Sequence, residues 1–254
     1  MTHRFFIPSD WIQGNSVTIT GPQAHQMARV LRLRPGQEVI ILDNSGWEIE
    51  VRLVTVERQA VTGEVLHRRL AGGEPRTKIS LYQGVLKSSH FEFVLQKGTE
   101  LGVVEFIPLI AERCVVSDLT AVENKRPRWE RIIQEAAEQA RRGRKPVLRS
   151  AVLFPQACER ARQAGGLALI PWEEEGRANL RDLLRTPPPG HQRRWPPFTI
   201  HLFIGPEGGF TRDEVALARQ YGLAPLTLGR RILRAETAGL ATAAAVLYEL
   251  GDLG

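Results

Sequence analysis

The chain has 254 residues, of which 43% are hydrophobic and 24% charged, with a net charge of +6 at pH 7. This length supports one large domain or two smaller ones, each with a substantial core. No apolar run approaches the roughly 20 residues of a membrane span, and the N-terminus lacks the apolar region of a signal peptide. We therefore expect a soluble, cytoplasmic protein with no membrane partner.

Most of the 34 basic residues are arginines, and a basic balance of this kind indicates a polyanionic partner. Arginine favours bidentate contacts with phosphates and base edges over simple point attraction. The two cysteines, Cys114 and Cys158, lie far apart and lack metal-ligand spacing. We expect both to be reduced core residues, and we expect no metal site.

Short apolar or alternating segments dominate residues 1–72 and predict strands separated by turn residues. These strands are predicted over Phe5–Ile7, Val17–Thr20, Val39–Leu42, Trp47–Val56 and Ala60–Leu66. Pro22 suits the first position of one helix between them. The pattern is typical of a small β-barrel, either an RNA-binding module or a structural cap without a ligand.

After the short linker Ala71–Pro75 the pattern changes, and residues 73–254 alternate between predicted strands and helices. Alternation of this kind predicts a mostly parallel sheet covered by helices on both faces. The predicted strands of this part are Ile79–Leu86, Val103–Ile110, Leu167–Ile170, Thr199–Ile204 and Pro225–Leu228. Residues 173–197 interrupt the alternation as a surface excursion, and the sequence leaves open whether they act as a lid.

Two loops near the C-terminal end stand out as a candidate site. Ile204-Gly205-Pro206-Glu207-Gly208-Gly209 follows a strand and precedes Thr211-Arg212-Asp213-Glu214, a capping box that opens a helix. Glycines at such a turn allow close approach of a ligand to the backbone. The second loop, Leu228 to Ala238, also joins a strand to a helix. Open α/β sheets bind ligands at the carboxyl ends of their strands, so the two loops predict one site.

The glycine-rich turn taken alone is equally compatible with a purely structural turn. It lacks the G-x-G-x-x-G spacing of a dinucleotide-binding fingerprint. It is not followed by the Gly-Lys-Ser/Thr of a phosphate-binding loop either. An enzyme that binds nucleotide phosphates is therefore disfavoured.

Several motifs in register resemble the small-subunit ribosomal RNA methyltransferase E family over nearly the whole chain. The two loops carry the resemblance through Gly205 to Phe210 and Leu228 to Ala238. Further matching motifs are His3-Arg4-Phe5-Phe6, His25 with Val30-Leu31-Arg32-Leu33 and Pro35-Gly36, Gln96-Lys97-Gly98-Thr99-Glu100-Leu101-Gly102-Val103, and Glu135-Ala136-Ala137-Glu138-Gln139-Ala140 with Arg142.

This resemblance implies an α/β fold of the SPOUT class, a trefoil-knotted methyltransferase domain over residues 73–254 with a PUA-like, RNA-binding β-barrel over residues 1–72. The knot is implied for residues 226–236, against the general rarity of knots. The implied enzyme is a homodimer, and the alanine-rich final helix is its interface or simply a core helix. The implied activity is methylation of N3 of one uridine in 16S ribosomal RNA, with S-adenosylmethionine as the methyl donor and the RNA or the small ribosomal subunit as partner.

Loops at three strand ends are expected to hold the cofactor, with apolar side chains around the adenine and glycines that let the main chain approach. The candidate cofactor residues are Ile170, Pro171, Ile204, Gly205, Glu207, Gly208, Gly209, Leu228, Gly229, Ile232 and Leu233. For the apolar residues among them, ordinary core packing is the alternative.

Catalysis and RNA binding are assigned to charged residues in the motifs. Arg234 is the candidate that stabilises the uridine anion, as an oxyanion site does. Glu236 is expected to cap the following helix, to orient Arg234 or to act as a base. The candidate RNA contacts are Arg4, Arg29, Arg32, Lys87, Lys97, Arg142 and Arg144. The alternatives are a solvated helix end for the arginines near residue 142 and a surface pair for Lys97 and Glu100.

A second hypothesis is a non-catalytic RNA-binding factor for ribosome assembly that retains the SPOUT fold. The intact loop motifs disfavour it. The sequence leaves open which uridine is modified, and whether naked RNA or an assembled subunit is the substrate.

Overall fold

The computed structural model of the chain describes residues 2–87, 89–116, 118–187 and 196–253. It contains two compact units. The first runs to Glu74 and includes Gln134–Lys145, and the second comprises Pro75–Ile133 and the residues from Pro146 onward. Residues 188–195, which belong to the predicted surface excursion, lie outside the described residues.

The first unit is built on a six-stranded sheet whose strands follow the order β1-β4-β5-β6-β3-β2. Strands β1 and β4 are parallel, and the other neighbours are antiparallel. The strands are β1 (Arg4–Phe6), β2 (Ile12–Gln13), β3 (Ser16–Thr20), β4 (Glu38–Leu42), β5 (Trp47–Val56) and β6 (Ala60–Leu70). The sequence pattern predicted these strands except β2, and β6 extends four residues beyond its predicted end.

Alternating side chains of this sheet form the core of the first unit, with a short helix packed against it. Val17 and Ile19 of β3 are buried, while their neighbours in the strand are exposed. The helix α1 (Gly21–His25) has Pro22 near its start, as predicted, and continues as a π-helical segment, Gln26–Val30. A 3-10 turn, Ser9–Trp11, precedes β2.

The second unit contains a sheet in which every strand pairing is parallel, which confirms the prediction of a mostly parallel sheet. The order is β10-β8-β7-β12-β11-β13, and β9 pairs with β8. The strands are β7 (Lys78–Gly84), β8 (Glu105–Ile110), β9 (Val147–Leu148), β10 (Val152–Leu153), β11 (Leu167–Pro171), β12 (Thr199–Ile204) and β13 (Ala224–Leu226).

Helices cover both faces of this parallel sheet. Leu81 of β7 lies in a core cluster with side chains of α2 and α8, whereas its neighbour Tyr82 lies in a second cluster with α5 and α7. Successive residues of a strand point to opposite faces, which explains the two cores. The helices are α2 (Ser89–Leu101), α3 (Leu119–Glu123), α4 (Arg126–Gln139), α5 (Phe154–Ala164), α6 (Leu180–Arg185), α7 (Arg212–Gln220) and α8 (Ala235–Glu249).

Both cysteines are free thiols, as predicted. Cys158 lies on the buried face of α5 in the core cluster of that side of the sheet, and burial raises the pKa of its thiol to about 12. Cys114 is half-buried, and burial also raises its pKa. Neither thiol is poised to react as a thiolate near neutral pH.

None of the helices in the described part of the chain combines the length and apolar character that crossing a bilayer requires. Within the same residues, no group of three or more His, Cys, Asp and Glu side chains is arranged to hold a metal ion.

Arg142 anchors the segment Gln134–Lys145 within the first unit. Its side chain is 2% exposed, and Nη2 lies 3.0 Å from Oε2 of Glu74, whose side chain is 19% exposed. A buried guanidinium is tolerated only with such a charged partner. The expectation that Arg142 contacts RNA is therefore wrong, and so is its alternative of a solvated helix end, because this side chain is buried in an ion pair.

Replacing Arg142 with Ala is expected to lower the free energy of unfolding by about 3 kcal/mol, because Glu74 would keep a partly buried charge without this partner. Urea denaturation measures the change, and Arg58→Ala, at an exposed arginine of the same unit, is the matched control with little expected loss. Wild-type stability in Arg142→Ala would contradict the structural role given to this residue.

Candidate functional site

A cavity of about 220 Å³ lies at the carboxyl ends of strands β11, β12 and β13 in the second unit. Another cavity in this unit measures only about 40 Å³, so the larger cavity is the candidate ligand site. The loops after the three strands all line the larger cavity. The two loops predicted to form one site do meet there.

All but one of the predicted cofactor residues line this cavity. They are Pro171, Ile204, Gly205, Glu207, Gly208, Gly209, Leu228, Gly229, Ile232 and Leu233. The exception is Ile170, whose side chain is fully buried in the core cluster with Tyr82 and Phe203. Ile170 is therefore a core residue of the sheet and does not line the cofactor cavity. Core packing was the alternative for the apolar candidates, and it holds for Ile170.

The turn from Gly205 to Gly209 owes its shape to local backbone hydrogen bonds. The Gly209 N–H donates to the Pro206 carbonyl at 2.9 Å, and Gly209 has φ +68°, a conformation that favours glycine. Thr211 then caps α7: its side chain accepts from the Glu214 N–H, and Glu214 accepts from the Thr211 N–H. This confirms the predicted capping box and fixes where the turn ends.

The main chain of β7 supports the same turn from beneath. A Cβ on Gly84 would lie 2.4 Å from the Pro206 nitrogen and 2.7 Å from the Gly205 carbonyl carbon. Only glycine fits this contact, because real Cβ atoms do not approach other atoms so closely. The Lys87 N–H also donates to Glu207 Oε1 at 3.0 Å, so the loop after β7 holds the acidic residue of the turn.

The loop after β8 holds the other side of the turn, and sequence reasoning missed it. Arg113 donates from Nη1 to the Gly208 carbonyl at 2.8 Å, and the Glu112 N–H donates to Glu214 Oε1 at 2.8 Å. The signal was available, since Glu112 and Arg113 follow a buried strand whose carboxyl end lies at the same edge of the sheet. Both ends of the turn are thus fixed by neighbouring loops.

Two hydrogen bonds at the edge of the sheet fix the start of the loop after β13. The Thr227 N–H donates to the Ala178 carbonyl at 2.8 Å, and the Gly229 N–H donates to Thr227 Oγ1 at 3.1 Å. Gly229 has φ +106°, so a side chain there would be strained. Beyond it the chain opens to solvent, and Ile232 is 82% exposed although it lines the cavity.

The cavity matches a ligand that has a flat apolar ring and several polar groups, such as the expected S-adenosylmethionine. Leu228 and Leu233 offer half-buried apolar surface. The glycines at positions 205, 209 and 229 leave main-chain groups accessible at the lining. Trp172 also lines the cavity, and its buried indole Nε1 has no acceptor among the described residues. A hydrogen-bond acceptor on a bound ligand would satisfy this donor, because buried N–H groups in proteins are almost always hydrogen-bonded.

The two predicted catalytic residues lie at the start of α8. Arg234 is the exposed N-cap residue of the helix, and the cavity lining includes Arg231 instead of it. Glu236 is in the first turn, has a 14% exposed side chain, and lies 3.8 Å from Nδ1 of His90. No ion pair joins Glu236 to Arg234 in the described part of the chain, so the structure gives no support to an orienting role. His90 is a further residue that the sequence analysis missed.

The predicted RNA contacts differ in their surroundings. Arg29, Arg32 and Lys87 are exposed. The side chain of Arg4 is only 12% exposed and forms an ion pair with Glu48 at 3.3 Å. Arg4 therefore has a structural role in place of the expected RNA contact.

Two other predicted contacts are partly engaged. Arg144 is exposed, but its guanidinium donates to the Ser45 carbonyl at 2.8 Å. Lys97 pairs with Glu100 at 2.7 Å, which is the surface pair given as its alternative.

Comparisons with known proteins agree over both units. A family model described as an RNA methyltransferase domain matches residues 73–247, and one described as an RNA methyltransferase PUA domain matches residues 19–66. The chain is 34% identical over 94% of its length to the ribosomal RNA small subunit methyltransferase E of Synechocystis, of which it covers 75%. It is 31% identical to the protein of that name from Bacillus subtilis, over 91% of this chain and 90% of the other.

A solved structure gives the same result. The ribosomal RNA small subunit methyltransferase E from Neisseria gonorrhoeae, solved bound to S-adenosyl methionine, superposes with a TM-score of 0.81 at 30% identity. The match covers 98% of each chain.

Replacing Gly84 with Ala is expected to displace the Gly205–Gly209 turn, because the added Cβ would overlap the main chain of Pro206. We expect a loss of about 1–3 kcal/mol in folding stability and at least a tenfold weaker affinity for S-adenosylmethionine by calorimetry. Gly176→Ala is the control, since a Cβ there meets no atom within 4 Å. Equal cofactor affinity in both variants would disprove the contact's importance.

Proposed function

The chain belongs to the ribosomal RNA small subunit methyltransferase E family, and we propose that it methylates N3 of a specific uridine in 16S ribosomal RNA. Its fold is of the SPOUT class with an N-terminal PUA domain. We assign RNA binding to residues 1–72 and catalysis to residues 73–254. The enzyme is proposed to act in the cytoplasm, where it meets the RNA or the small ribosomal subunit.

The observation that carries the proposal is the single cavity built by three strand-end loops. When bound, S-adenosylmethionine supplies an electrophilic methyl group on a sulfonium sulfur. Leu228, Ile232 and Leu233 would contact its adenine, and the main chain of Gly205 to Gly209 would bind its polar groups. The contacts of Gly84 and Arg113 hold that main chain in position before any ligand arrives.

The proposed acceptor nitrogen makes specific demands on the protein. N3 of uracil carries a proton and lies on the pairing edge, so the base must be unpaired or flipped out of a helix. It must also lose that proton before it attacks a methyl group, and negative charge then develops on the uracil oxygens. A cationic side chain near those oxygens stabilises this charge, as in an oxyanion site.

Arg234 is proposed to supply that charge. Its guanidinium is exposed at the beginning of α8, next to Leu233 of the cavity lining, so an incoming base can reach it. Glu236 is proposed to accept the N3 proton or to stabilise the N-terminus of α8. Its carboxylate lies 3.8 Å from Nδ1 of His90.

We also propose that the active enzyme is a homodimer and that residues 226–236 thread a trefoil knot. Thr237, Ala241 and Ala245 form an exposed stripe on α8, spaced by four residues, and Tyr248 at its end is 69% exposed. Small side chains at this spacing allow a second helix to approach closely. The opposite side of α8 packs into the core of the second unit.

The competing hypothesis is a non-catalytic RNA-binding assembly factor with the same fold. The cavity and the preformed turn favour the enzyme, since a factor without catalysis needs no cofactor site. Calorimetry with S-adenosylmethionine separates the two, because binding is expected of the enzyme, and absence of binding at millimolar cofactor would favour the factor. Methylation of extracted ribosomal RNA and of intact subunits, followed by mapping of the product, identifies the substrate.

Arg234→Ala is expected to lower the rate of methyl transfer by about 10²–10³-fold, the effect of removing one donor from an oxyanion site. The dissociation constant for S-adenosylmethionine is expected to stay near the wild-type value, because Arg234 does not line the cavity. Single-turnover methylation with tritiated cofactor measures the rate.

Arg230→Ala is the matched control, since Arg230 is an exposed arginine of the same loop that does not line the cavity. This variant is expected to methylate at close to the wild-type rate. Wild-type turnover in Arg234→Ala would remove Arg234 from catalysis.

A further inference from the structure

An acidic run, Glu173-Glu174-Glu175, follows strand β11, and its three carboxylates have different surroundings. Glu174 pairs with Arg212 of α7 at 2.7 Å, and Glu175 pairs with Arg219 of the same helix at 3.0 Å. Glu173 instead lines the cavity at the strand ends. Its carboxylate has no ion pair or hydrogen bond with any residue that the structure describes. Two glutamates of the run therefore have partners within the protein, and the third is available to a ligand.

The carboxylate of Glu173 lies against the glycine-rich turn. A Cβ on Gly209 would lie 3.0 Å from Glu173 Oε1 and 3.4 Å from Oε2. Because Gly209 has no Cβ, both oxygens can stay next to the main chain of the turn. The Gly209 N–H donates to the Pro206 carbonyl at 2.9 Å, so the turn does not use this carboxylate as an acceptor at that position. Both carboxylate oxygens thus remain free to accept hydrogen bonds from a ligand.

The position of β11 in the sheet indicates which part of the cofactor Glu173 would meet. β11 pairs with β12 on one side and with β13 on the other. The glycine-rich turn follows β12, and the loop proposed to contact the adenine follows β13. In S-adenosylmethionine the ribose joins the adenine to the sulfonium end. A ligand that spans the two outer loops therefore places its ribose at the middle loop, where Glu173 lies.

Trp172 adds a second unsatisfied group to this middle loop. Its main-chain N–H donates to the Leu226 carbonyl at 3.0 Å, which fixes the residue beside β13. Its indole Nε1 is buried and has no acceptor among the described residues, although the residue lines the cavity. A hydroxyl group can donate to a carboxylate and accept from an indole N–H, whereas an ammonium group can only donate. The two side chains together therefore favour ribose hydroxyls over the α-ammonium group of the cofactor.

We propose that Trp172 and Glu173 form a ribose subsite, in which the carboxylate accepts hydrogen bonds from the 2′- and 3′-hydroxyls of the cofactor and the indole donates to one of them. An acidic residue binds a ribose hydroxyl in the same way in dinucleotide-binding folds. The inference rests on the proposed function, which supplies the cofactor. The α-ammonium group is the other part of this ligand that a carboxylate would bind, and the test distinguishes it.

Calorimetry with S-adenosylhomocysteine, which carries no transferable methyl group, and with its 2′-deoxy, 3′-deoxy and deamino analogues tests the subsite. Wild-type protein is expected to bind the two deoxy analogues about 10–100-fold more weakly than the parent compound, the effect of leaving a charged acceptor without its donor. Glu173→Ala is expected to bind the parent compound with a similar loss and to bind parent and deoxy analogues about equally, since the hydroxyls then have no partner to lose. Trp172→Phe keeps an aromatic ring, removes the N–H, and is expected to bind the parent compound about 2–10-fold more weakly.

Glu174→Ala is the matched control, because it is the same substitution in the same acidic run at a side chain that pairs with Arg212. It is expected to bind every analogue within about twofold of wild type, as a surface ion pair contributes little. Equal affinity of wild-type protein for parent and deoxy analogues, an equal loss in Glu174→Ala, or wild-type affinity in Trp172→Phe would overturn the proposal. A loss with the deamino analogue that disappears in Glu173→Ala would assign the carboxylate to the ammonium group and overturn it as well.

The failure of this inference is distinguishable from that of the proposed function. Wild-type protein that prefers the ribose hydroxyls but transfers no methyl group to 16S ribosomal RNA contradicts only the proposed reaction. Protein that methylates this RNA while Glu173→Ala retains wild-type affinity for S-adenosylhomocysteine contradicts only the ribose subsite. Without ligand, Glu173→Ala is expected to melt at the wild-type temperature, because its carboxylate has no partner among the described residues.

Discussion

The candidate site depends on a contact between two stretches of main chain that leaves no room for a side chain. Gly84 at the end of β7 touches Gly205 and Pro206 at the start of the glycine-rich turn. Parallel strands β7 and β12 lie side by side in register up to Ile204, so the turn is pressed directly onto the end of its neighbour. The shape of the cavity follows from this contact, because the turn forms one of its walls.

Loops from other strands then hold the turn through its polar groups. Glu207 accepts from the Lys87 main chain after β7, and Gly208 accepts from Arg113 after β8. In the sheet β7 lies next to β12, and β8 lies next to β7. Because these strands are parallel, their carboxyl ends all lie at the same edge. A binding wall made from backbone and fixed on both sides presents its polar groups without rearrangement, which is the advantage of preorganisation.

The sequence predicted what depends on local pattern, including the parallel sheet, the capping box at Thr211 and the glycine-rich and Leu228–Leu233 segments of the cavity lining. It failed where a side chain's surroundings come from distant segments. Arg142 sits in a basic run, yet its partner Glu74 is 68 residues away. Ile170 ends a buried strand, and only the packed sheet shows that its side chain points into the core. Arg113 carries no motif of its own, and its role is visible only through its contact with Gly208.

A crystal structure of the protein grown with S-adenosylmethionine tests the central claim most directly. We expect the ligand between Pro171, the Gly205–Gly209 turn and the Leu228–Leu233 loop, with its adenine against the apolar side chains and with the turn in the same position as in the protein without ligand. A cofactor bound elsewhere on the chain, or a cavity between these three loops that stays closed while the ligand is bound, would contradict it.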